Sequence, residues 1–204
     1  MIAIIDYGAG NLQSVRNALD SFGCKNTIAV SRREILSADG VILPGVGAFG
    51  SAMQEIEKRG LAPAIKDAAQ SGKPFLGICA GMQLLFERSE ESPYAEGLGI
   101  IPGEVLRFDS SEGLKIPHMG WNSVKCLKES RLLGKAGEEA HMYFVHSYYV
   151  KAKNRDAVSG SCLYGTEFDA AIECGSVFGF QFHPEKSGEC GIELLKKFVR
   201  ICTE

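Results

Sequence analysis

Chemistry in this sequence begins at Gly77-Ile78-Cys79-Ala80-Gly81, where a cysteine has glycine two positions away on either side. The spacing fits the G-x-nucleophile-x-G turn that joins a strand to a helix. Small flanking residues let so sharp a turn close, and the turn lifts the thiol above the strand ends, toward the start of the next helix. There the helix dipole and free amides favour thiolate over thiol, and the Ala80 amide is placed to hold an oxyanion. A competing reading is an inert buried thiol, the common fate of a free cysteine. The flanks favour reactivity: apolar Phe75 to Ile78 precedes Cys79, and a helical Gln83-Leu84-Leu85-Phe86 follows it.

A thiolate nucleophile needs a proton carrier, usually a histidine steered by a carboxylate. Of the four histidines, His183 stands out in Gly179-Phe180-Gln181-Phe182-His183-Pro184-Glu185-Lys186. It follows an apolar run, and Pro184 disfavours a helical backbone at His183. In an extended segment residues i and i+2 share a side, so Glu185 is predicted to orient the imidazole. Each residue also has a plainer reading, a structural hydrogen bond for His183 and a solvated loop charge for Glu185. His118, His141 and His146 have no such carboxylate beside them and are read as structural.

Strands and helices must carry these groups to one place. Ala3 to Ile5, Thr27 to Val30, Val41 to Leu43 and Phe75 to Ile78 read as short buried strands. Between them, Asn11 to Phe22 carries a helical apolar stripe stopped by Gly23, and Ser51 to Gln70 reads as helix divided near Gly60 and Pro63. Ala80 to Glu87 is predicted helical. Such alternation implies a mostly parallel sheet flanked by helices. From about 100 to 182 the pattern changes to strands and turns, including Met142 to Val150, Gly160 to Leu163, Ala170 to Cys174 and Val177 to Phe182, read as antiparallel additions or edge strands. A helix with Ile192, Leu195, Phe198 and Cys202 on one face ends the chain. The expectation is one α/β domain over 1–204 with an added antiparallel β-rich region.

The bulk properties narrow the function class. With 204 residues, 45% hydrophobic and 23% charged, the chain can bury a real core. A net charge of -3 argues against a basic footprint for nucleic acid. The longest apolar stretch, Phe75 to Phe86, is too short to span a bilayer and includes Gln83. Met1-Ile2-Ala3-Ile4-Ile5-Asp6 lacks the positive flank of a signal peptide. Seven scattered cysteines without a C-x-x-C pair suggest a reduced, cytoplasmic protein with no structural zinc; no metal and no cofactor are expected.

Gly77-Ile78-Cys79-Ala80-Gly81-Met82-Gln83, taken with Phe182-His183-Pro184-Glu185, resembles the class I (triad) glutamine amidotransferases, whose architecture is flavodoxin-like. Three further blocks are similar to the glutaminase subunits of imidazole glycerol phosphate synthases: Pro44 to Gly50, His118-Met119-Gly120-Trp121-Asn122 and Tyr143 to Tyr149. The likeness runs from Asp6-Tyr7-Gly8-Ala9-Gly10-Asn11 to the last helix. It implies that Cys79 attacks the side-chain amide of glutamine, that His183 moves the protons and that Glu185 holds its ring. It also implies a second oxyanion donor from the Val46 or Gly47 amide, although the loop Pro44 to Gly47 must turn after its strand in any case. Gln83, Ser147 and Tyr148 match substrate-binding positions; a helix-surface glutamine and plain strand structure are the simpler readings.

The same resemblance implies a heterodimer with a cyclase subunit of (β/α)8-barrel fold, which uses the ammonia to make imidazole glycerol phosphate and AICAR in histidine biosynthesis. Asn11, Trp121, Tyr143 and Lys186 match interface positions. Asn11 is equally suited to cap a helix, Trp121 to fill a core and Lys186 to remain a solvated charge. Rivals are the glutaminase subunit of pyridoxal phosphate synthase, a cysteine peptidase or γ-glutamyl hydrolase on the same turn, and a catalytically silent binding subunit.

Overall fold

The computed structural model describes residues 1–109 and 113–203. Twelve strands occur among them: β1 (Ile2–Ile5), β2 (Asn26–Ala29), β3 (Gly40–Gly45), β4 (Phe75–Cys79), β5 (Arg88–Ser89), β6 (Gly103–Arg107), β7 (His118–Cys126), β8 (Glu139–His146), β9 (Tyr148–Ala152), β10 (Val158–Tyr164), β11 (Thr166–Cys174) and β12 (Val177–Phe180). Six helices accompany them: α1 (Leu12–Asp20), α2 (Arg32–Ser37), α3 (Phe49–Lys58), α4 (Ala62–Gln70), α5 (Ala80–Gln83) and α6 (Gly188–Ile201). The strands form one sheet in the order β2-β1-β3-β4-β12-β11-β10-β7-β8, with β5, β6 and β9 branching from β11.

From β2 to β12 the pairing is parallel. Side chains alternate across such strands, and β1 divides its residues accordingly. Ala3 and Ile5 face a core shared with Ile35 of α2, Ile56 of α3 and Ile65 of α4. Ile2 and Ile4 face the opposite core, with Val15 and Leu19 of α1 and Leu195 and Phe198 of α6. Both faces are therefore covered, which is why these strands read as unbroken apolar runs. Beyond β12 the main path turns antiparallel.

Three expectations need correction. Val177 to Phe182 is no antiparallel edge, because β12 lies inside the sheet and pairs in parallel with β4 at Gly179↔Gly77 and Phe180↔Ile78. The helix expected over Ala80 to Glu87 ends at Gln83, and Arg88–Ser89 pairs with β6. Met142 to Val150 is two strands, β8 and β9, separated at Ser147. The sequence reading also missed α2, whose start is marked by a capping box between Ser31 and Glu34.

The turn after β4 closes only because glycine surrounds it. A Cβ on Gly81 would lie 1.9 Å from the Leu43 carbonyl oxygen, and one on Gly45 2.2 Å from the Gly81 nitrogen. The strands β3 and β4 thus approach the turn with no room for a methyl group. Gly81→Ala should consequently lower the stability of the fold by about 3 kcal/mol, through backbone overpacking. Equilibrium urea unfolding checks this; an unshifted midpoint is incompatible with the closeness of that contact.

Candidate active site

Cys79 ends β4 and begins the turn into α5 with φ 54 and ψ -115, the one positive φ at a non-glycine position among the described residues. A backbone held there costs about 1–3 kcal/mol and persists only where packing imposes it. The side chain is nearly buried. It faces a cleft of about 520 Å³, lined among others by Val46, Gly47, Gln83, Glu91, Ser147 and His183. The four-residue α5 offers a weaker dipole than the helix expected from sequence.

His183 reaches this cleft because β12 is in register with β4. Ile78 lies opposite Phe180, so both chains leave the sheet at the same edge. The His183 amide donates to the Tyr143 carbonyl of β8 at 2.9 Å. Ser187 ties the segment further, donating to the His183 carbonyl at 2.6 Å and accepting from the Tyr143 amide at 3.0 Å. Glu185 meets the imidazole by a different route from the one expected. Pro184–Lys186 forms a 3-10 turn rather than an extended segment, and this turn brings the Glu185 carboxylate within 2.8 Å of His183 Nδ1.

Both side chains of that pair are almost wholly buried, at 3% and 1% exposure. Burial opposes a charge on His183, but contact with Cys79 and with Glu185 outweighs it and pushes the ring's pKa from 6.5 up to about 10. His183 Nε2 and Glu185 Oε2 are buried without a partner that meets hydrogen-bond geometry. Since Nδ1 is committed to Glu185, Nε2 is the proton-carrying position left on the Cys79 side. The arrangement can therefore supply a nucleophile, a proton donor and a carboxylate that fixes the donor's ring.

The remaining expected residues divide into two groups. Gln83 is buried and donates to the Tyr148 carbonyl at 2.9 Å and to Gln181 Oε1 at 3.0 Å; it is not a helix-surface residue. Ser147 and Tyr148 line the cleft. Val46 is exposed, Gly47 has φ +85, and neither amide forms a backbone hydrogen bond within a turn or strand. Trp121 is 57% exposed, so it fills no core, and its ring meets Tyr143 edge-on at 6.1 Å. Lys186 is exposed and borders the cleft. Asn11 occupies the N-cap position of α1 without a side-chain capping bond.

Glu91 was not singled out in the sequence because Ser89-Glu90-Glu91-Ser92 looks like a solvated charge run. It accepts from the Phe49 amide at 2.7 Å at the start of α3, and among the described residues it is the sole acidic side chain lining the cleft. A larger open groove of about 1070 Å³ lies around Lys66, Arg88 and Lys153, but among the described residues no cysteine or histidine lines it. No cluster of metal-ligating side chains occurs among the described residues, nor any helix long and apolar enough to cross a membrane.

Residues 3–202 match the family described as glutamine amidotransferase class-I. The chain is 49% identical to the imidazole glycerol phosphate synthase subunit HisH of Listeria innocua, over 98% of this chain and 96% of that one. It is 46% identical to the chloroplastic imidazole glycerol phosphate synthase hisHF of Arabidopsis thaliana, over 98% of this chain and 34% of the plant protein. Among solved structures, a glutamine amidotransferase superposes with a TM-score of 0.78 at 17% identity, covering both chains fully. PurLQS from Thermotoga maritima gives 0.72 at 20% identity over 98% and 97% of the two chains; these two likenesses concern the fold.

The charge on His183 has a measurable signature. Its raised pKa adds stability that is complete below the unfolded value of 6.5 and disappears as pH rises through about 10. Glu185→Gln removes one anion and should lower the His183 titration by about one unit or more. It should also flatten the fall in stability between those two pH values. NMR titration of the imidazole and unfolding curves across the interval test both, and an unmoved titration rules out Glu185 as a source of the shift.

Proposed function

The chain belongs to the class-I glutamine amidotransferase family, and from that membership we propose that Cys79, His183 and Glu185 hydrolyse glutamine for an imidazole glycerol phosphate synthase. The observation that carries this reading is His183: clamped by Glu185 at Nδ1, with Nε2 committed to no other residue on the Cys79 side. Family membership supports the substrate class, and the near-full-length identity to synthase subunits supports a place in such an assembly. Residues 1–204 act as a single amidotransferase domain.

The Cys79 thiolate adds to the side-chain carbonyl of glutamine, and the new oxyanion is held by the Ala80 amide together with that of Val46 or Gly47. The C–N bond breaks as His183 Nε2 passes its proton to the leaving ammonia, giving a glutamyl thioester. His183, now neutral, takes a proton from water; hydroxide adds to the thioester, and glutamate leaves as the thiolate and imidazolium are restored. Glu185 keeps the ring in the orientation both steps need. Glu91 receives the α-ammonium of the substrate, since among the described residues it is the one carboxylate on the cleft wall, while Gln83, Ser147 and Tyr148 border the rest of the amino-acid end.

The chain is a subunit of a larger synthase, so it has a partner subunit. That partner is a (β/α)8-barrel cyclase, and the two form a cytoplasmic heterodimer. The ammonia is consumed there to make imidazole glycerol phosphate and AICAR in histidine biosynthesis. In the plant relative about two thirds of the protein lies outside the matched part, which leaves ample length for a covalently joined cyclase. Trp121, Tyr143, Lys186 and Asn11 form the docking rim; an exposed tryptophan beside a tyrosine suits such a surface. Docking seals the cleft, because free ammonia released into water near neutral pH is protonated and lost.

Cys79→Ala should abolish glutamine hydrolysis while leaving unfolding behaviour and partner binding unchanged, checked by an ammonia-release assay and by co-purification. Retained turnover in that variant would sink the assignment of the nucleophile. Val46 and Gly47 are exposed and Gly47 has a positive φ, a loop free to reorient, so that docking completes the oxyanion hole. The purified chain alone should accordingly turn over glutamine at least about a hundredfold more slowly than the complex with liganded cyclase, the scale of one missing oxyanion donor. Equal rates in the two assays contradict this gating.

A further inference from the structure

Two histidines that the mechanism does not use, His118 and His146, occupy opposed positions on β7 and β8. Both are buried. His118 Nδ1 lies 3.0 Å from His146 Nε2, His118 Nε2 lies 3.2 Å from Asn122 Nδ2, and His146 Nδ1 lies 2.8 Å from the Tyr148 carbonyl oxygen. That carbonyl also accepts from Gln83 Nε2 at 2.9 Å, Gln83 Nε2 donates to Gln181 Oε1 at 3.0 Å, and Gln181 Nε2 faces Cys79 Sγ at 3.8 Å. An unbroken line of polar contacts thus runs from Asn122 to the nucleophile.

Backbone groups fix the polarity of this line. The Ser123 amide, which can only donate, meets Asn122 Oδ1 at 2.8 Å, and the Leu163 carbonyl, which can only accept, meets Asn122 Nδ2 at 3.0 Å. Asn122 therefore presents N–H to His118. At the other end the Tyr148 carbonyl can only accept, so His146 must carry its proton on Nδ1 and offer a lone pair at Nε2. Nδ1–H of His118 fills that position, which leaves His118 Nε2 as the acceptor for Asn122. One arrangement satisfies every group: both rings neutral, both protonated on Nδ1. Adding a proton to either ring sets two donors face to face. Burial acts in the same sense, lowering His118 to about 4 and His146 to about 3.

We propose that Asn122, His118 and His146 form a one-way, uncharged hydrogen-bond relay that holds the Tyr148 peptide and Gln83 in place as the wall of the glutamine site. They are positioning residues for glutamine rather than proton carriers, and the proposal rests on the glutaminase reading above. The wall needs such a support because the strand breaks at Ser147, between β8 and β9. At that break the Tyr148 carbonyl is held by two side chains, one from β8 and one from α5. Stacking of His118 on Phe144 at 4.8 Å and on Tyr164 at 4.0 Å keeps the relay from swinging. His146 borders the cleft itself, so the ordered chain of donors ends where substrate would lie.

In the full chain with its partner subunit, His146→Leu should raise KM for glutamine about tenfold while kcat changes less than about threefold, as expected for one lost buried hydrogen bond. His146→Asn keeps an N–H donor near the Nδ1 position and should bring KM back to within about threefold of the unaltered protein. An unchanged KM in the leucine variant, or equal impairment of both variants, overturns the relay. Should the leucine variant not fold, ¹⁵N NMR of the unaltered protein decides: both rings must be neutral and Nδ1-protonated from about pH 5.5 to 8, and an Nε2-protonated or charged ring at either position overturns it. Absence of glutamine turnover by the unaltered complex overturns the glutaminase reading and this role with it. That result is distinct from intact turnover with an indifferent KM.

Discussion

The parallel pairing of β12 with β4 is the constraint on which the site depends. Its register, Gly179 opposite Gly77 and Phe180 opposite Ile78, delivers two chain segments about a hundred residues apart to the same edge of the sheet. A slip by one residue would turn every side chain of β12 to the other face, and Phe178 and Phe180 would leave the core they share with Phe198 and Leu195. The apolar cost of that slip protects the register, and the register places His183 beside Cys79. Catalytic geometry is in this sense a by-product of aromatic burial.

Glycine does for the nucleophile what register does for its partner. Gly45, Gly77, Gly81 and Gly179 let β3, β12 and the turn close on Cys79 with no intervening side chain; a Cβ on Gly179 would come within 2.7 Å of Met82. This close packing holds Cys79 in a backbone conformation it would not adopt alone. The thiol thus stands rigidly at the mouth of the cleft, while the loop Pro44 to Gly47 keeps two exposed residues and a positive φ at Gly47. Rigidity and freedom are placed on opposite sides of the same reacting centre.

Three buried histidines within this region show how environment sets their chemistry. His183 lies between the thiol and a buried carboxylate and is held charged. His118 and His146 lie among aromatic rings and a backbone carbonyl, and burial lowers both, so they are held neutral. The same side chain serves as proton carrier in one place and as rigid hydrogen-bond link in the other, because burial favours the neutral form unless a negative partner outweighs it.

Much of this was legible in the residues. The unbroken apolar runs of β1, β3 and β4 and the stripes of α1 and α6 follow from local pattern, and Gly77-Ile78-Cys79-Ala80-Gly81 announces a strand-to-helix turn because its glycines leave room for the turn to close. The nearness of Glu185 to His183 was also readable, though for the wrong geometric reason, since a 3-10 turn rather than an extended strand joins them. Local sequence could not say that Val177 to Phe182 lies inside the sheet, because an apolar run looks the same on an edge or in the middle. Nor could it set Glu91 apart from Glu90, or join His118 to His146, whose contact depends on a cross-strand register 28 residues apart. By itself the sequence determined which groups could react and which segments had to be buried. The tertiary structure alone decided which of those groups meet, because strand pairing and core packing act between residues that share no local signal.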